Sequence, residues 1–399
     1  MAESEIKISV ERDLSSTPYA CTSLTQLSGG TANFVYRGLL STPLPDGTTT
    51  VIIKHAEEYL ASNREFVLSA KRCLVEESAL RSLEGMHSVT TTHSSQSQTE
   101  GQSQKYQVTV KTPKLYHFIP QSYTQIMEDL PDSIDLKTFM RSPGVSESIS
   151  RDWATSIGQT LGTWLKSFHV WINDPRQGDA AAKFGEWKVM RDLKFAVNYE
   201  GLLGRIEEFL EILEGSRGVF EEVRDMAKRE LEQGLAFAGN GGIGIGAIHG
   251  DFWSGNVLIP KSSLSNPLPS TPLLITDWEM SQIGPLALDL AQMIAELYML
   301  KLFKDINSGI WIIHGFVSGY SEAGGSDWTG IGIDEEMAFR ILIHVGVHLV
   351  FWGSTVPGWG DEEQVKGVVE VGRDLIVKAW GSERSAFEGD EVWGVLFSK

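Results

Sequence analysis

The chain is poor in cysteine and lacks a long uninterrupted apolar run. Its 399 residues include only Cys21 and Cys73, which excludes a disulfide framework and a cysteine-rich zinc site and favours a reducing compartment. No stretch reaches the roughly 18 consecutive apolar residues of a membrane-spanning helix, and the polar N-terminus is unlike a secretory signal. The longest apolar passage, residues 341–352, is interrupted by His344 and His348 and predicts a buried helix. We therefore expect a cytoplasmic protein without a membrane partner.

Basic residues are also scarce. There are 34 Lys and Arg against 52 Asp and Glu, which gives a formal net charge of -18. Nucleic acid as a partner is excluded, because a phosphate backbone requires a basic binding surface. An acidic field attracts cations and suits a protonated amine as substrate, although solubility is the commoner reason for such a charge.

Tryptophan is absent before residue 153, and this first part of the chain has the pattern of a small β-rich unit. Residues 22–55 predict three strands, the last of which ends at Lys54, and residues 64–83 have helical spacing. Residues 87–105 are rich in Ser, Thr and Gln and predict a mobile surface loop. Two further strands are predicted before residue 130.

After residue 131 the apolar residues recur mainly at helical spacing, as in residues 156–169. All twelve tryptophans lie in this part of the chain. The sequence therefore predicts an α+β protein of two lobes. Residues 1–130 would form a small antiparallel β-sheet with one helix, and residues 131–399 a larger, mainly helical lobe.

The strongest chemical signal is the segment His-Gly-Asp-Phe-Trp-Ser-Gly-Asn at residues 249–256, followed by Asp277-Trp-Glu279. Phosphoryl transfer needs a carboxylate to hold the attacking hydroxyl and metal ligands to neutralise the phosphates. Asp251 and Asn256 are separated by the same interval as the catalytic Asp and metal-binding Asn of kinase catalytic loops. Asp277 ends an apolar strand and supplies the oxygen donor that Mg²⁺ prefers. These residues indicate a kinase that uses ATP and Mg²⁺.

These motifs, together with Gly-Pro-Leu-Ala-Leu-Asp-Leu-Ala at residues 284–291, resemble the aminoglycoside phosphotransferase and choline kinase-like superfamily. The resemblance implies a two-lobed protein-kinase-like fold. It also implies that Asp251 is the catalytic base and that Asn256 and Asp277 are metal ligands, with Glu279 as a further ligand for one or two Mg²⁺ ions. Asp289 and His249 would support the catalytic loop.

Within the superfamily the chain most resembles methylthioribose kinases and psilocybin-pathway hydroxytryptamine kinases, in residues 27–36 and 52–56 and in Asp-Trp-Glu. The nucleotide-binding residues implied are Gly29, Gly30, Asn33, Lys54, Glu76, Glu128 and Leu130. Both glycines would let the backbone approach phosphate, and Lys54 would pair with phosphates while a helix glutamate holds it. That glutamate is Glu76, with Glu77 as the alternative, and residues 128–130 would bind adenine.

Three other functions are weighed against this one. A protein kinase would carry Arg where Gly250 stands and a long activation loop after Asp277, but Gly284 and Asp289 follow closely. An inactive pseudokinase would have lost acidic or lysine positions that are filled here. A dehydrogenase would place its glycine-rich turn after a strand, whereas residues 241–246 precede one.

The acceptor is a small-molecule alcohol in this interpretation. Methylthioribose kinases would show a twin-arginine pair, but Arg340 is followed by Ile341, so a methylthioribose kinase remains only the alternative. Trp253 and Trp352 are candidate substrate residues, because aromatic faces attract flat or cationic groups. We therefore expect an amine-bearing or aromatic alcohol as acceptor and a monomer or homodimer as the assembly.

Overall fold

The structure is a computed structural model that describes residues 3–27, 32–96, 103–186, 188–235, 244–264, 268–322 and 331–398. Its strands are β1 (Cys21–Gln26), β2 (Phe34–Leu40), β3 (Thr50–His55), β4 (Val89–Gln96), β5 (Ser103–Lys111), β6 (Leu115–Ile119), β7 (Thr124–Glu128), β8 (Ser133–Asp135), β9 (Ile245–Ile248), β10 (Val257–Pro260), β11 (Ser270–Ile275) and β12 (Gln282–Pro285).

The helices are, in chain order, α1 (Glu3–Ser15), α2 (Arg72–Ser82), α3 (Leu136–Arg141), α4 (Val145–Ser148), α5 (Arg151–Ile172), α6 (Gly178–Gly185), α7 (Lys188–Phe195), α8 (Gly201–Gly204), α9 (Leu210–Leu213), α10 (Arg217–Leu235), α11 (Ala287–Lys304), α12 (Ser308–Glu322), α13 (Glu335–Thr355) and α14 (Glu362–Trp380). A π-helical turn, Ala196–Glu200, joins α7 to α8.

The first compact unit consists of Met1–Gly85, Thr112–Asp132 and Thr276–Met280. Its sheet has the strand order β1-β2-β3-β7-β6, and all four pairings are antiparallel. Helix α1 places Ile6, Val10 and Leu14 in the same buried cluster as residues of β1, β2, β3 and β7. This helix was not predicted, although the spacing of four between its apolar residues puts them on one helical face.

The second unit consists of Met86–Lys111, Ser133–Ile275 and Ser281–Lys399. Its larger sheet has the order β4-β5-β11-β10-β8, and β9 pairs with β12 separately. Helices α5 and α12 pack backbone to backbone, because a side chain at Gly158 or Gly315 would collide with main-chain atoms of the facing helix. The helical second unit and the antiparallel first sheet confirm the predicted α+β class.

The prediction of a mobile loop over residues 87–105 is wrong for residues 89–96 and 103–105, which form strands, and residues 97–102 lie outside the described residues. Strands β4 and β5 pair in an antiparallel hairpin, and β5 also pairs in parallel with β11. Tyr106, Val108 and Val110 of β5 are buried. Polar Ser and Gln residues suggested a loop, but the β-branched run of residues 90–92 favours a strand.

The structural division differs from a single boundary after residue 130, because the first unit extends to Asp132 and two further segments belong to the opposite unit. Residues 86–111 belong to the second unit, because β4 pairs with β5 and β5 pairs with β11. Residues 276–280 belong to the first unit, where Trp278 donates its main-chain N–H to Glu76 of α2 at 3.2 Å.

The predicted buried helix at residues 341–352 lies within α13. By length and composition α13 is the one helix of the described residues that could cross a membrane, with a mean hydropathy of 1.4, but 72% of that window is buried inside the protein. Such burial is typical of the core helix of a soluble protein.

Candidate active site

The predicted catalytic motif forms the turn between β9 and β10. The chain reverses at Gly250, whose φ of +81° is a conformation that glycine adopts without steric cost. Asn256 returns to the start of the turn, where its Nδ2 donates to Asp251 Oδ2 and to the Asp251 main-chain oxygen, each at 2.9 Å. The turn therefore brings the predicted base and one predicted metal ligand into direct contact.

Asp289, near the start of α11, holds the beginning of this turn. Its carboxylate accepts the main-chain N–H groups of His249 at 2.8 Å and Gly250 at 2.9 Å. His169 Nε2 lies 3.1 Å from the same carboxylate. Burial by itself raises the pKa of Asp289, but the hydrogen bond and charge of His169 and the contributions of His249 outweigh it, so the pKa is lowered. An ionised carboxylate therefore anchors the backbone just before Asp251.

Two further residues, which the sequence analysis missed, approach Asp251 from the other side. Gln292 Nε2 donates to Asp251 Oδ1 at 2.5 Å, and Lys194 Nζ donates to Gln292 Oε1 at 2.8 Å. Burial lowers the pKa of Lys194, against the raising influence of the Asp251 and Asp289 charges. The sequence contained one signal for Gln292. It lies three residues after Asp289, and this spacing puts both side chains on one face of α11.

Trp253 and Trp352, the candidate substrate residues, have different surroundings. Trp253 Nε1 donates to Asp251 Oδ2 at 3.2 Å, so this indole lies beside the candidate base. Trp352 of α13 donates its Nε1 to Asn198 Oδ1 at 3.2 Å and packs against His348 and Phe351. The structure thus joins Trp253 to the turn at residues 249–256 and Trp352 to the helices around the π-helical turn.

In the first unit, Lys54 on β3 lies among three carboxylates. Its Nζ is 2.8 Å from Glu76 Oε2 and 3.6 Å from Glu279 Oε2, and it also contacts Asp277 Oδ1. Of the two glutamates considered for Lys54, Glu76 is the one paired with it, whereas Glu77 pairs with Arg81 on the same helix.

The charged groups in this cluster shift one another's pKa values. Burial lowers the pKa of Lys54, but Asp277, Glu76 and Glu279 together raise it well above its usual value. Burial raises the pKa of Glu76 to about 7, with Asp277 and Glu279 adding to the rise and Lys54 opposing it. Arg72 Nε also lies 3.9 Å from Glu279 Oε2. With Lys54 it gives two positive charges against the three carboxylates, so the cluster holds one surplus negative charge when all its groups are ionised.

Asp277 and Glu279 follow β11 in a short turn. Asp277 has a φ of +63°, a left-handed conformation that is uncommon for residues other than glycine but tolerated by Asp. Its side chain is 45% exposed, against 13% for Glu279. Asn33 Nδ2 donates to Glu279 Oε2 at 2.5 Å, so this predicted nucleotide-binding residue belongs to the same cluster. Gly29 and Gly30 lie outside the described residues.

The predicted adenine-binding segment begins at the end of β7. The main-chain N–H of Glu128 donates to the carbonyl of Lys114 at 2.8 Å, and the carboxylate of Glu128 accepts the Lys114 N–H at 3.2 Å. Arg37 donates to Asp129 at 2.8 and 3.0 Å and to the carbonyl of Leu130 at 3.5 Å. These contacts fix the path of the segment within the first unit.

The residues available for a divalent metal are oxygen donors. No set of three or more His, Cys, Asp or Glu side chains suited to a metal occurs in the described part of the chain. Mg²⁺, however, commonly takes one or two carboxylates and completes its shell with phosphate and water oxygens. The carboxylates of Asp277 and Glu279, in a cluster with excess negative charge, fit that requirement.

No family model matches the chain, but individual proteins do. Phosphotransferase FrzJ of a Cladobotryum species is 33% identical over 390 residues, which cover 96% of this chain and 94% of that protein. A 4-hydroxytryptamine kinase of Psilocybe cyanescens is 22% identical over 355 residues, covering 89% and 86% of the two chains.

Among solved structures, amicoumacin kinase hAmiN in complex with AMP-PNP, Ca²⁺ and Ami is similar at a TM-score of 0.50 and 12% identity. The match covers 94% of this chain and 96% of that one. It shows the fold alone and confirms the kinase-like architecture. The extended match to FrzJ shows that the chain belongs to the same family of phosphotransferases as that protein.

Proposed function

We propose that this protein is an ATP- and Mg²⁺-dependent kinase in which the Asp251 carboxylate receives the proton of the acceptor hydroxyl. The observation that carries the proposal is the hydrogen bonding of Asp251. Asn256 and Trp253 donate to one of its oxygens and Gln292 donates to the other. A general base must be held in a fixed orientation toward the proton that it accepts, and three neutral N–H donors provide that orientation.

Nucleotide binding is assigned to residues of the first unit. Lys54, held by Glu76, would pair with the phosphates, and Asn33 would contribute from the neighbouring loop. The backbone at Gly29 and Gly30 would approach the phosphates, and residues 128–130 would bind adenine. The buried Lys54–Glu76 pair is the main structural support for this assignment.

Asn256, Asp277 and Glu279 are the residues that would hold Mg²⁺, as one ion or two. The metal would supply positive charge that neutralises the phosphate oxygens during transfer. Support comes from the three carboxylates around Lys54, because this surplus of negative charge suits a divalent cation better than a neutral ligand.

For the acceptor we propose an amine-bearing or aromatic alcohol. The relatives named 4-hydroxytryptamine kinase and the acidic composition of the chain favour it. Arg340 supports this choice over methylthioribose, because its guanidinium is engaged by Glu230 at 2.7 Å and by the Tyr199 hydroxyl at 2.7 Å. We propose a cytoplasmic monomer or homodimer.

The test is ATP consumption against a panel of small alcohols, amines and methylthioribose, with wild type and Asp251→Ala side by side. General-base positioning is worth roughly 10²–10⁴ in rate, so the variant should lose most turnover while its ATP affinity stays near that of wild type. Asp251→Asn is the matched control, because it keeps the size of the side chain and removes its basicity and negative charge.

Wild-type turnover by Asp251→Ala would refute the assigned role of this carboxylate. Binding of ATP with no turnover on any acceptor, or with turnover that does not depend on a divalent metal, would favour a pseudokinase or a different mechanism.

A further inference from the structure

Beside the catalytic turn, the second unit contains an aromatic–carboxylate cage formed by Trp253, Trp359 and Glu296. The ammonium of Lys137, on α3, occupies it. Lys137 Nζ lies 4.8 Å from the ring centroid of Trp253 and 4.3 Å from that of Trp359. It also donates to Glu296 Oε2 at 3.2 Å.

The walls of the cage are held by further contacts. Trp359 is buried and stacks on Phe303 with ring centroids 5.5 Å apart. Glu296 is 7% exposed, and its second oxygen lies 3.1 Å from His348 Nε2. Burial raises the pKa of Glu296, but His348 and Lys137 outweigh it, so the pKa is lowered and the carboxylate remains charged.

The cage adjoins the candidate base through two connections. Trp253 donates its indole N–H to Asp251 Oδ2 at 3.2 Å. Glu296 lies one turn after Gln292 on α11, so both side chains project from the same helical face, and Gln292 donates to Asp251 Oδ1 at 2.5 Å. A group bound in the cage would therefore lie beside the carboxylate that receives the acceptor proton.

Two indole faces and a buried carboxylate form a receptor for an ammonium group, since cation–π attraction strengthens when the cation is desolvated. In this protein the ammonium of Lys137 occupies the receptor. A second cation, Arg141, lies one turn further along α3 and 5.4 Å from the Trp359 ring centroid. An incoming ammonium would have to displace Lys137 or lie beside like charges.

We propose that Lys137 is a specificity-determining residue that fills the cation position of the cage, so that the acceptor presents an uncharged flat or apolar group there. The inference rests on the proposed function and narrows it: between an amine-bearing and an aromatic alcohol, the filled cage favours an acceptor that is uncharged at this position. Removing the charge of Lys137 would convert the cage into an ammonium site.

The test compares wild type, Lys137→Met and Lys137→Arg by calorimetric titration without nucleotide. The probes are choline and 3,3-dimethyl-1-butanol, which have the same shape and differ by one charge. Methionine keeps an unbranched chain without a charge, and arginine keeps the charge. We expect Lys137→Met to bind choline about tenfold more tightly than the other two proteins, with little change for the neutral alcohol.

Equal choline affinity in wild type and Lys137→Met would overturn the proposal. An equal gain for both probes would also overturn it, because the gain would then reflect space and not charge. The titration needs no ATP and no turnover, so it is independent of the proposed kinase activity. Conversely, a wild-type kcat/KM for an ammonium-bearing alcohol equal to that of its neutral counterpart would refute the selectivity and leave the kinase function intact.

A second measurement covers the case in which Lys137→Met fails to fold. Reductive methylation of the native chain, followed by peptide mass spectrometry, compares Lys137, whose side chain is 16% exposed, with Lys188, at 65%. Lys137 should be methylated much more slowly, and Glu296→Gln should speed the reaction at Lys137 without affecting Lys188. Equal rates in the native chain, or no response to Glu296→Gln, would show that the cage does not hold this ammonium.

Discussion

Asp251 and Asp277 both follow a buried strand, but their surroundings differ in kind. Asp251 accepts hydrogen bonds from neutral donors, the side-chain amides of Asn256 and Gln292 and the indole of Trp253. Asp277 belongs to a cluster in which Lys54 is shared among three carboxylates. The first arrangement orients one carboxylate without cancelling its charge, as a proton acceptor requires. The second accumulates charge, as a site for phosphates and a metal requires. Substitutions in the two clusters should therefore have different consequences.

The largest effect is expected from Asp277→Ala. Loss of a group that merely supports a metal ligand typically costs about 10–100-fold in metal affinity, and loss of a ligand should cost more. Divalent-dependent ATP binding should therefore fall by more than about a hundredfold. The measurement is calorimetric titration of ATP with and without Mg²⁺.

Asp251→Ala is the control for that titration, because it removes no proposed metal ligand and Asn256 keeps its hydrogen bond to the main-chain oxygen at position 251. Its metal-dependent ATP binding should therefore fall much less than that of Asp277→Ala. Unchanged metal dependence in Asp277→Ala would contradict the ligand assignment. An equal loss in both variants would remove the distinction between the two clusters.

Gln292→Leu should have an intermediate effect confined to the chemical step. It removes a hydrogen bond to a charged oxygen, an interaction worth roughly 1.5–3 kcal/mol, so kcat should fall about tenfold or more while ATP affinity stays constant. Steady-state kinetics with the best acceptor of the panel would measure both quantities.

Gln292→Glu provides the contrast for this variant, because it keeps the length of the side chain and places a second carboxylate against Asp251. Repulsion between like charges should raise the pKa of the pair and shift the kcat–pH profile to higher pH. A profile identical to wild type, with an unchanged kcat in Gln292→Leu, would show that Gln292 does not position Asp251.

How far the sequence predicts this molecule depends on how local each signal is. The turn at residues 249–256 is local, and a fixed interval between Asp251 and Asn256 is enough to predict their contact. The α+β class was also predicted, because the hydrophobic periodicity that indicates helices and strands is a local signal too.

The contacts of the site that were missed join residues far apart in the sequence. Gln292 is 41 positions from Asp251, and Lys137 is 159 from Glu296; no periodicity connects such pairs. The β4–β5 hairpin was missed because its polar composition outweighed the β-branched residues in the prediction. The parallel pairing of residues 107–111 with β11 is a tertiary contact that the local sequence does not encode.

The last expected effect concerns the pH dependence of stability at Glu76. Its pKa is raised from 4.5 to about 7 by burial and by Asp277 and Glu279. Across this interval the folded chain binds more protons than the unfolded chain, so the free energy of unfolding falls as pH rises. The contribution is complete below about pH 4.5 and is lost as pH passes through about 7. Since one pKa unit corresponds to about 1.4 kcal/mol, we expect a loss of at most about 3 kcal/mol between these limits.

The measurement is urea unfolding of wild type and Glu76→Gln over this pH range, because the difference between the two cancels the titration of the other acidic groups. The difference in unfolding free energy between wild type and Glu76→Gln should change with pH only between about pH 4.5 and pH 7, where Glu76 titrates. The same comparison with Asp289→Asn should give the opposite slope at lower pH, since the pKa of Asp289 is lowered and its contribution is lost as pH falls. Parallel curves for wild type and Glu76→Gln would mean that Lys54 keeps Glu76 ionised throughout, and that the surplus of negative charge proposed to attract the metal is present at every pH tested.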